Sequence, residues 1–265
     1  MRVRLAALAL PLALALPACK PAGVPAVAAG TQQEEYFPLV DGARWVYALN
    51  ANGGKIEVTV DARGSQSVTG IEGELFIMDE ATNGEAIGMA DIAPVGYLQT
   101  GGYLSRYTAL DYDTGGGLRS IGGEDPMWVL PLDRAPAPGT SWSQDTGMFQ
   151  LPEGGGGSIR WTGKIAELTE LDVPAGHFAN VLLIRKEYWD ESVSPDGPLL
   201  AYEDFYARGV GLIRSVTYNE QDAGSQILSQ ELLRYQFPEA SAAVAEPHTQ
   251  TKEGQDEAQD GPTPR

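Results

Sequence analysis

Apolar and polar residues alternate with a period of two along much of the chain, which is typical of β-strands that bury one face. The pattern is clearest on the two sides of the turn Asn52-Gly53-Gly54. The alternating apolar residues are Trp45, Tyr47 and Leu49 before the turn, and Ile56, Val58 and Val60 after it. Two such segments joined by a glycine-rich turn predict a β-hairpin with one solvent-exposed face.

The stretch 173–218 predicts three further strands and the turns between them. Val173-Pro174-Ala175-Gly176 suits a tight turn, because proline presets φ and glycine tolerates positive φ. The strands are expected at 181–189, 199–208 and 212–218, with the proline- and glycine-rich residues 190–198 as the second reversal. Gly209-Val210-Gly211 interrupts the pattern as a bulge or corner would.

The remaining segments also predict strands. A third strand is expected over 67–78, bent at Gly70 and Gly73, and Asn83-Gly84 is a turn signal that leads into 85–90. The aromatic-rich segment 95–112 predicts a hairpin across Gly101-Gly102. Residues 159–165 alternate, and 225–237 fit a strand or a short helix, of which we favour the strand. The expected fold is all-β, an antiparallel curved sheet forming a half-barrel or a sandwich.

One sequence pattern occurs twice. Pro38-Leu39 leads through Gly42 to Trp45, and Pro131-Leu132 leads through Gly139 to Trp142. In each copy a Pro-Leu pair precedes a glycine turn and a tryptophan that opens a strand. The pattern predicts two related halves, each anchored by its tryptophan; the alternative is that so short a match arises by chance.

Trp45 and the stretch 173–218 are part of a set of segments that resembles a known sequence pattern. The segments are Tyr36-Phe37-Pro38-Leu39 with Gly42, Trp45 and Tyr47, then Val173-Pro174-Ala175-Gly176 with Phe178 and Asn180, and finally 205–213. Together they resemble a bacterial family of secreted domains and lipoproteins of unknown function. Some such families are similar in fold to half-barrel envelope lipoproteins that bind lipid. The resemblance implies a β fold and brings no catalytic residue.

The N-terminus predicts export and a lipid anchor at Cys19. Two arginines precede the apolar run 5–16, which is too short to span a bilayer and is typical of a signal peptide. Leu16 and Ala18 before Cys19 resemble a bacterial lipobox, which implies cleavage after residue 18 and a diacylglyceryl group on the Cys19 thiol. The alternative is an ordinary secretory signal cut after Ala28, with Cys19 discarded. Lys20 favours the outer membrane in a cell with two membranes.

The domain organisation follows from composition. Residues 1–18 are the predicted signal peptide, and 19–35, rich in Pro, Ala and Gly, are a flexible tether. Residues 36–238 are expected to form the all-β domain. Residues 239–265 lack aromatic residues and are rich in acidic and polar ones, which predicts a disordered acidic tail.

Charge and residue counts limit the chemistry. The formal net charge of −18 makes nucleic-acid binding improbable. One cysteine and two histidines leave little material for a disulfide, a metal site or a nucleophile with its base. His177 falls in a turn and is expected to be exposed, and Asp111-Tyr112-Asp113-Thr114-Gly115 is a poor match to a calcium loop. We therefore expect no metal, no cofactor and no catalytic residue.

Two hypotheses about function remain open. The first is a non-enzymatic domain, tethered to a membrane surface, that binds an apolar ligand or an envelope protein, or has a structural role. Its site would be a concave sheet face lined by Trp161, Tyr188 and Trp189. The second is a hydrolase of envelope polysaccharide that uses a carboxylate pair. Its candidate residues are Glu187, Asp190, Glu191, Glu203 and Asp204.

Overall fold

The structure is a computed structural model that describes residues 36–51, 53–83, 92–100, 102–121, 126–131, 136–150, 156–222 and 224–238. These residues form an antiparallel, nearly closed sheet, which confirms the expected all-β fold. The strands are β1 (Arg44–Ala51), β2 (Gly54–Thr69), β3 (Glu74–Asn83), β4 (Ile92–Thr100), β5 (Tyr103–Tyr107), β6 (Leu110–Tyr112), β7 (Leu118–Ser120), β8 (Met127–Pro131), β9 (Ser141–Gln150), β10 (Gly156–Val173), β11 (Gly176–Asp190), β12 (Leu200–Ala207), β13 (Gly211–Asn219) and β14 (Ser225–Gln236).

The sheet consists of two consecutive antiparallel meanders. The strand order is β8-β5-β4-β3-β2-β1-β14-β13-β12-β11-β10-β9, so the meander β9–β14 joins the first one where β14 pairs with β1. The two ends of this order, β8 and β9, lie side by side. There the side chain of Gln144 replaces ladder hydrogen bonds: its Oε1 accepts from the Trp128 N–H at 2.9 Å, and its Nε2 donates to the Pro126 carbonyl oxygen at 2.5 Å.

The repeated sequence pattern is also a repeated hairpin geometry. In the first meander the Gly42 N–H donates to the Ala62 carbonyl oxygen, and the Ala62 N–H donates to Ala43. In the second, the Gly139 N–H donates to the Ile165 carbonyl oxygen, and the Ile165 N–H donates to Thr140. Both glycines have a positive φ, 76° and 91°, which favours glycine over other residues. The same turn therefore starts each meander just before its tryptophan.

The segments that carry the family resemblance meet at one end of the sheet. The Phe37 ring packs against Tyr97 and Tyr206, with ring centroids 4.7 and 5.9 Å apart. The Tyr36 hydroxyl donates to the carbonyl oxygen of Asn180, which adopts a φ of 55°. The Trp45 indole Nε1 donates to the Val210 carbonyl oxygen at 2.8 Å. The N-terminal segment before β1 thus covers this end of the sheet, beside the largest group of buried apolar side chains.

A second, smaller core lies where β6 and β7 cover the outer side of β2 and β3. Its buried members are Val68, Leu75, Ile77, Leu110 and Leu118. The expected strand over 67–78 is wrong, because Gly70 and Gly73, each with a φ of 92°, end β2 and begin β3 instead of bending one strand. A left-handed backbone at both glycines suits a reversal, and the Ile71 N–H closes the turn on the Val68 carbonyl oxygen.

Other expectations have mixed outcomes. The hairpin within 95–112 is confirmed as β4 and β5, and 225–237 is a strand. The turn at Gly209 and the register shift after Phe205 confirm the predicted corner. The signal peptide, Cys19, the tether, the strand over 85–90 and the acidic tail lie outside the described residues. Within the described residues, no helix combines the length and apolar character needed to cross a membrane.

Candidate ligand-binding cavity

The inner face of the sheet encloses a cavity of about 400 Å³. This volume lies in the range of roughly 300–1,000 Å³ that is typical of small-molecule sites. Both meanders contribute lining residues, and Phe37 and Pro38 line it from the covered end. The lining combines aliphatic side chains with eight aromatic ones, which are Phe37, Trp45, Tyr47, Tyr97, Tyr107, Trp161, Tyr202 and Tyr206.

The wall formed by the second meander carries a buried ion pair. The Lys186 Nζ on β11 lies 2.6 Å from the Asp204 Oδ2 on β12, and the two side chains are only 9% and 6% exposed. The Ser215 hydroxyl donates to the other carboxylate oxygen of Asp204 at 2.6 Å. The Lys186 ammonium also lies 5.6 Å from the centre of the Tyr202 ring. Its surroundings therefore hold this pair firmly in the wall.

The opposite wall carries a second, more accessible ion pair. The Arg106 Nη2 on β5 lies 3.2 Å from the Glu80 Oε1 on β3. These side chains are 31% and 36% exposed. Burial opposes the charge of Arg106, but its polar neighbours, among them the Glu80 and Asp204 carboxylates, outweigh burial and keep the Arg106 pKa raised. The guanidinium therefore stays charged while part of its surface faces the cavity.

Four tyrosines of the lining, Tyr47, Tyr97, Tyr202 and Tyr206, are neutral at physiological pH. Burial raises the pKa of Tyr47, Tyr97 and Tyr206. Burial, with the nearby Asp204 and Tyr188, raises the pKa of Tyr202 to about 12. Among the described lining residues, the charged side chains are therefore two cations and two carboxylates.

The structure places the three aromatic residues of the predicted concave face on two faces. Trp161 lines the cavity, and Tyr188 packs beside it with ring centroids 4.8 Å apart. Trp189 is on the outer face, so its assignment to the concave face is wrong. Its ring lies 4.7 Å from the Arg160 guanidinium carbon, and its Nε1 donates to Glu187. Neighbouring residues of a strand point to opposite faces, which separates Tyr188 from Trp189.

The five candidate carboxylates of a hydrolase do not share one cleft. Asp204 lines the cavity, whereas Glu203 accepts from Arg185 at 3.0 Å and Glu187 accepts from Thr162 at 3.2 Å on the other face. Asp190 accepts from the Ser192 N–H, and Glu191 accepts from the Ser158 N–H, both near the turn after β11.

The two weaker candidates also have local partners. His177 is exposed and its Nδ1 lies 2.9 Å from the Asp172 carboxylate. The Asp113 Oδ1 accepts from the N–H groups of Gly115 and Gly117, and the Asp111 carboxylate pairs with Arg119. The backbone donors of the turn lower the pKa of Asp113. These carboxylates therefore support the β6–β7 turn.

Glu80, Arg106 and Lys186 were not predicted as site residues. Each lies two residues after a buried apolar residue of its strand, namely Met78, Leu104 and Ile184. A charged residue in an apolar series of period two is a detectable signal for a buried polar site.

No protein-family model matches the chain, and no curated protein is similar enough to match. Solved structures give three matches. An exported protein with a YmcC-like fold from Bacteroides fragilis, as it is described, is 12% identical, with a TM-score of 0.44 over 74% of this chain and 96% of that one. A chain from Parabacteroides distasonis described as a lipoprotein is 10% identical, with a TM-score of 0.47 over 76% and 98%.

The third match is a DUF1329 family protein from Desulfovibrio piger, 8% identical, with a TM-score of 0.35 over 80% of this chain and 95% of that one. Similarity at this level carries no inference about the function of the present chain.

Proposed function

We propose that this chain is a cell-envelope lipoprotein, anchored through Cys19, whose β domain binds a small, largely apolar molecule inside the sheet without catalysing a reaction. The observation that carries the binding role is the cavity of about 400 Å³, with its aromatic lining. A preformed cavity lined by aromatic and aliphatic side chains favours an apolar guest over water.

The anchoring role is supported by the sequence that precedes the domain. The apolar run 5–16 followed by the sole cysteine fits export and acylation of Cys19. Two or more acyl chains would hold the protein on a membrane surface, since each buried CH₂ contributes about 0.8 kcal/mol. The outer membrane is the proposed location in a cell with two membranes.

Cell fractionation tests the anchor. Wild-type protein is expected in the membrane fraction, and Cys19→Ala is expected to lose the acyl mass and leave a peripheral or soluble product. An unmodified mature N-terminus downstream of Cys19 would contradict the anchor. This result would leave the binding role open, because the cavity lies in the domain.

Native mass spectrometry tests the binding role. Protein purified without detergent from its own cells is expected to carry an additional small mass, which denaturation releases. Met78→Trp fills the cavity wall and should abolish that mass, because Met78 is 7% exposed and lines the cavity. Val193→Trp is the matched control, because Val193 is 61% exposed and lies outside the cavity. A mass that persists in folded Met78→Trp would contradict binding in the cavity.

A further inference from the structure

We propose that the cavity selects an uncharged molecule that carries one group able both to donate and to accept hydrogen bonds, and that this group binds at the Glu80–Arg106 pair. An amide or a hydroxyl on an apolar aromatic or acyl body has this chemistry. The inference rests on the proposed function and names the class of ligand for the same cavity.

The charges of the described cavity lining balance one another. The charged side chains among the described lining residues form two pairs, Glu80 with Arg106 and Lys186 with Asp204. An ion that enters a poorly solvated cavity needs a counter-charge. Here each cation already has a carboxylate partner, so an entering anion or cation would leave one charge without compensation. An uncharged ligand preserves the balance.

The two ion pairs differ in how accessible they are to a ligand. The Lys186–Asp204 pair is sealed, with side chains 9% and 6% exposed, and Ser215 donates to the same carboxylate. The Glu80 and Arg106 side chains are 36% and 31% exposed, and their ion contact is 3.2 Å long. A guanidinium has five N–H donors and a carboxylate has two acceptor oxygens. This pair therefore offers a donor and an acceptor side by side to one polar group.

Aromatic rings lie beside the Glu80–Arg106 pair, where the apolar body of a ligand can contact them. Tyr97 is paired with Arg106 across β4 and β5, and the Phe37 ring packs on Tyr97. An apolar body can lie against these rings while its polar group reaches the ion pair. The net charge of −18 also disfavours the approach of anions.

Four naphthalene probes of nearly equal size separate the possibilities: 2-naphthamide, 2-naphthoate, 2-naphthylmethylammonium and 2-isopropylnaphthalene. Binding to residues 20–265, which lack the signal peptide and Cys19 and are purified without detergent, is measured by calorimetry at neutral pH. We expect 2-naphthamide to bind about tenfold more tightly than each of the other three, which corresponds to ~1.4 kcal/mol.

A matched pair of variants tests whether the ion pair sets this preference. Glu80→Gln removes the ion-pair partner of Arg106, which leaves the cavity with one uncompensated positive charge, and should increase the affinity for 2-naphthoate by about tenfold. Glu203→Gln makes the same change in total charge on the outer face, where Glu203 pairs with Arg185, and should leave that affinity unchanged. Both variants keep the size of the side chain, and circular dichroism checks that they fold.

The outcomes distinguish the two proposals. If 2-isopropylnaphthalene binds as tightly as 2-naphthamide, or if an ionic probe binds most tightly, the cavity binds apolar molecules but the inference about the ligand class is wrong. An equal gain for naphthoate in Glu80→Gln and Glu203→Gln would also overturn it. If none of the probes binds, the proposed function itself fails.

Discussion

The indole Nε1 of Trp45 donates a hydrogen bond of 2.8 Å to the carbonyl oxygen of Val210, across 165 residues of sequence. Trp45 starts the first meander, and Val210 lies in the turn between β12 and β13 of the second. The contact thus fixes one meander to the other at the covered end of the sheet. Tyr47 repeats it two residues later, since its hydroxyl donates to the Leu212 carbonyl oxygen at 3.0 Å.

Removing the Trp45 hydrogen bond should destabilise the whole sheet. Trp45→Phe keeps an aromatic ring but leaves the buried Val210 carbonyl oxygen without this donor, at an expected cost of about 1–3 kcal/mol in the free energy of unfolding. Urea unfolding measures the loss. Trp189→Phe, on the outer face, is the control and should cost less because water can reach its Glu187 acceptor. Equal losses would argue against this role of Trp45.

Replacing only Lys186 of the Lys186–Asp204 pair should lower the free energy of unfolding more than replacing both residues. Lys186→Met leaves a buried carboxylate without its cation, for which about 3–5 kcal/mol is typical. The double variant Lys186→Met/Asp204→Asn should recover more than half of that loss in urea unfolding. Lys164→Met, at an exposed site on β10, gives the baseline. A double variant no more stable than Lys186→Met would contradict a compensated buried pair.

A side chain at Gly163 should open the contact between β8 and β9. A Cβ built at Gly163 lies 2.2 Å from the Trp142 ring, and the indole Nε1 of Trp142 donates to the Trp128 carbonyl oxygen. Gly163→Ala is therefore expected to displace Trp142 and to destabilise the protein by about 1–3 kcal/mol.

Near-ultraviolet circular dichroism reports the displacement of Trp142, and urea unfolding gives its energetic cost. Gly197→Ala is the control, because a Cβ there meets nothing within 4 Å. An unchanged tryptophan signal in Gly163→Ala would show that this ring is not held against Gly163.

The phenol of Tyr202 should titrate about two units above an ordinary tyrosine. Burial, helped by Asp204 and Tyr188, raises its pKa from 10.0 to about 12 in the folded protein. A raised folded pKa means that the contribution to stability is complete below the unfolded pKa near 10 and is lost as the pH rises through 12.

Carbon-13 NMR of tyrosine labelled at Cζ measures the Tyr202 titration, with Tyr202→Phe to assign its signal. A Tyr202 midpoint near pH 10 in folded protein would show that the phenol is not desolvated by the cavity wall.

The sequence was sufficient for the hairpins and for the two tryptophan turns. Period-two alternation predicts β1 and β2. The sequence patterns around Gly42 and Gly139 predict two similar turns, and both turns have the same hydrogen-bond arrangement in the structure. The failure at Gly70 and Gly73 has a physical cause. A glycine in a strand-like run permits either a bend or a reversal, and only the positive φ at both positions decides between them.

The cavity could not be predicted from the alternation pattern of single strands. Alternation gives the face on which Trp161 lies, but the volume depends on the curvature of the whole sheet and on where Gln144 joins β8 to β9. The Glu80–Arg106 pair joins strands separated by β4, so its partners are set by strand order and register, which one sequence does not reveal.

The most direct test of the central claim is methionine-methyl NMR of the mature chain titrated with N-phenyl-1-naphthylamine, an uncharged apolar probe. Met78 and Met127 line the cavity from β3 and β8, and single substitutions to leucine assign their signals. Binding inside the sheet predicts that both methyl resonances shift and saturate with the same affinity as the fluorescence of the probe. A probe that binds by fluorescence while neither resonance moves would show that the cavity is not the ligand site.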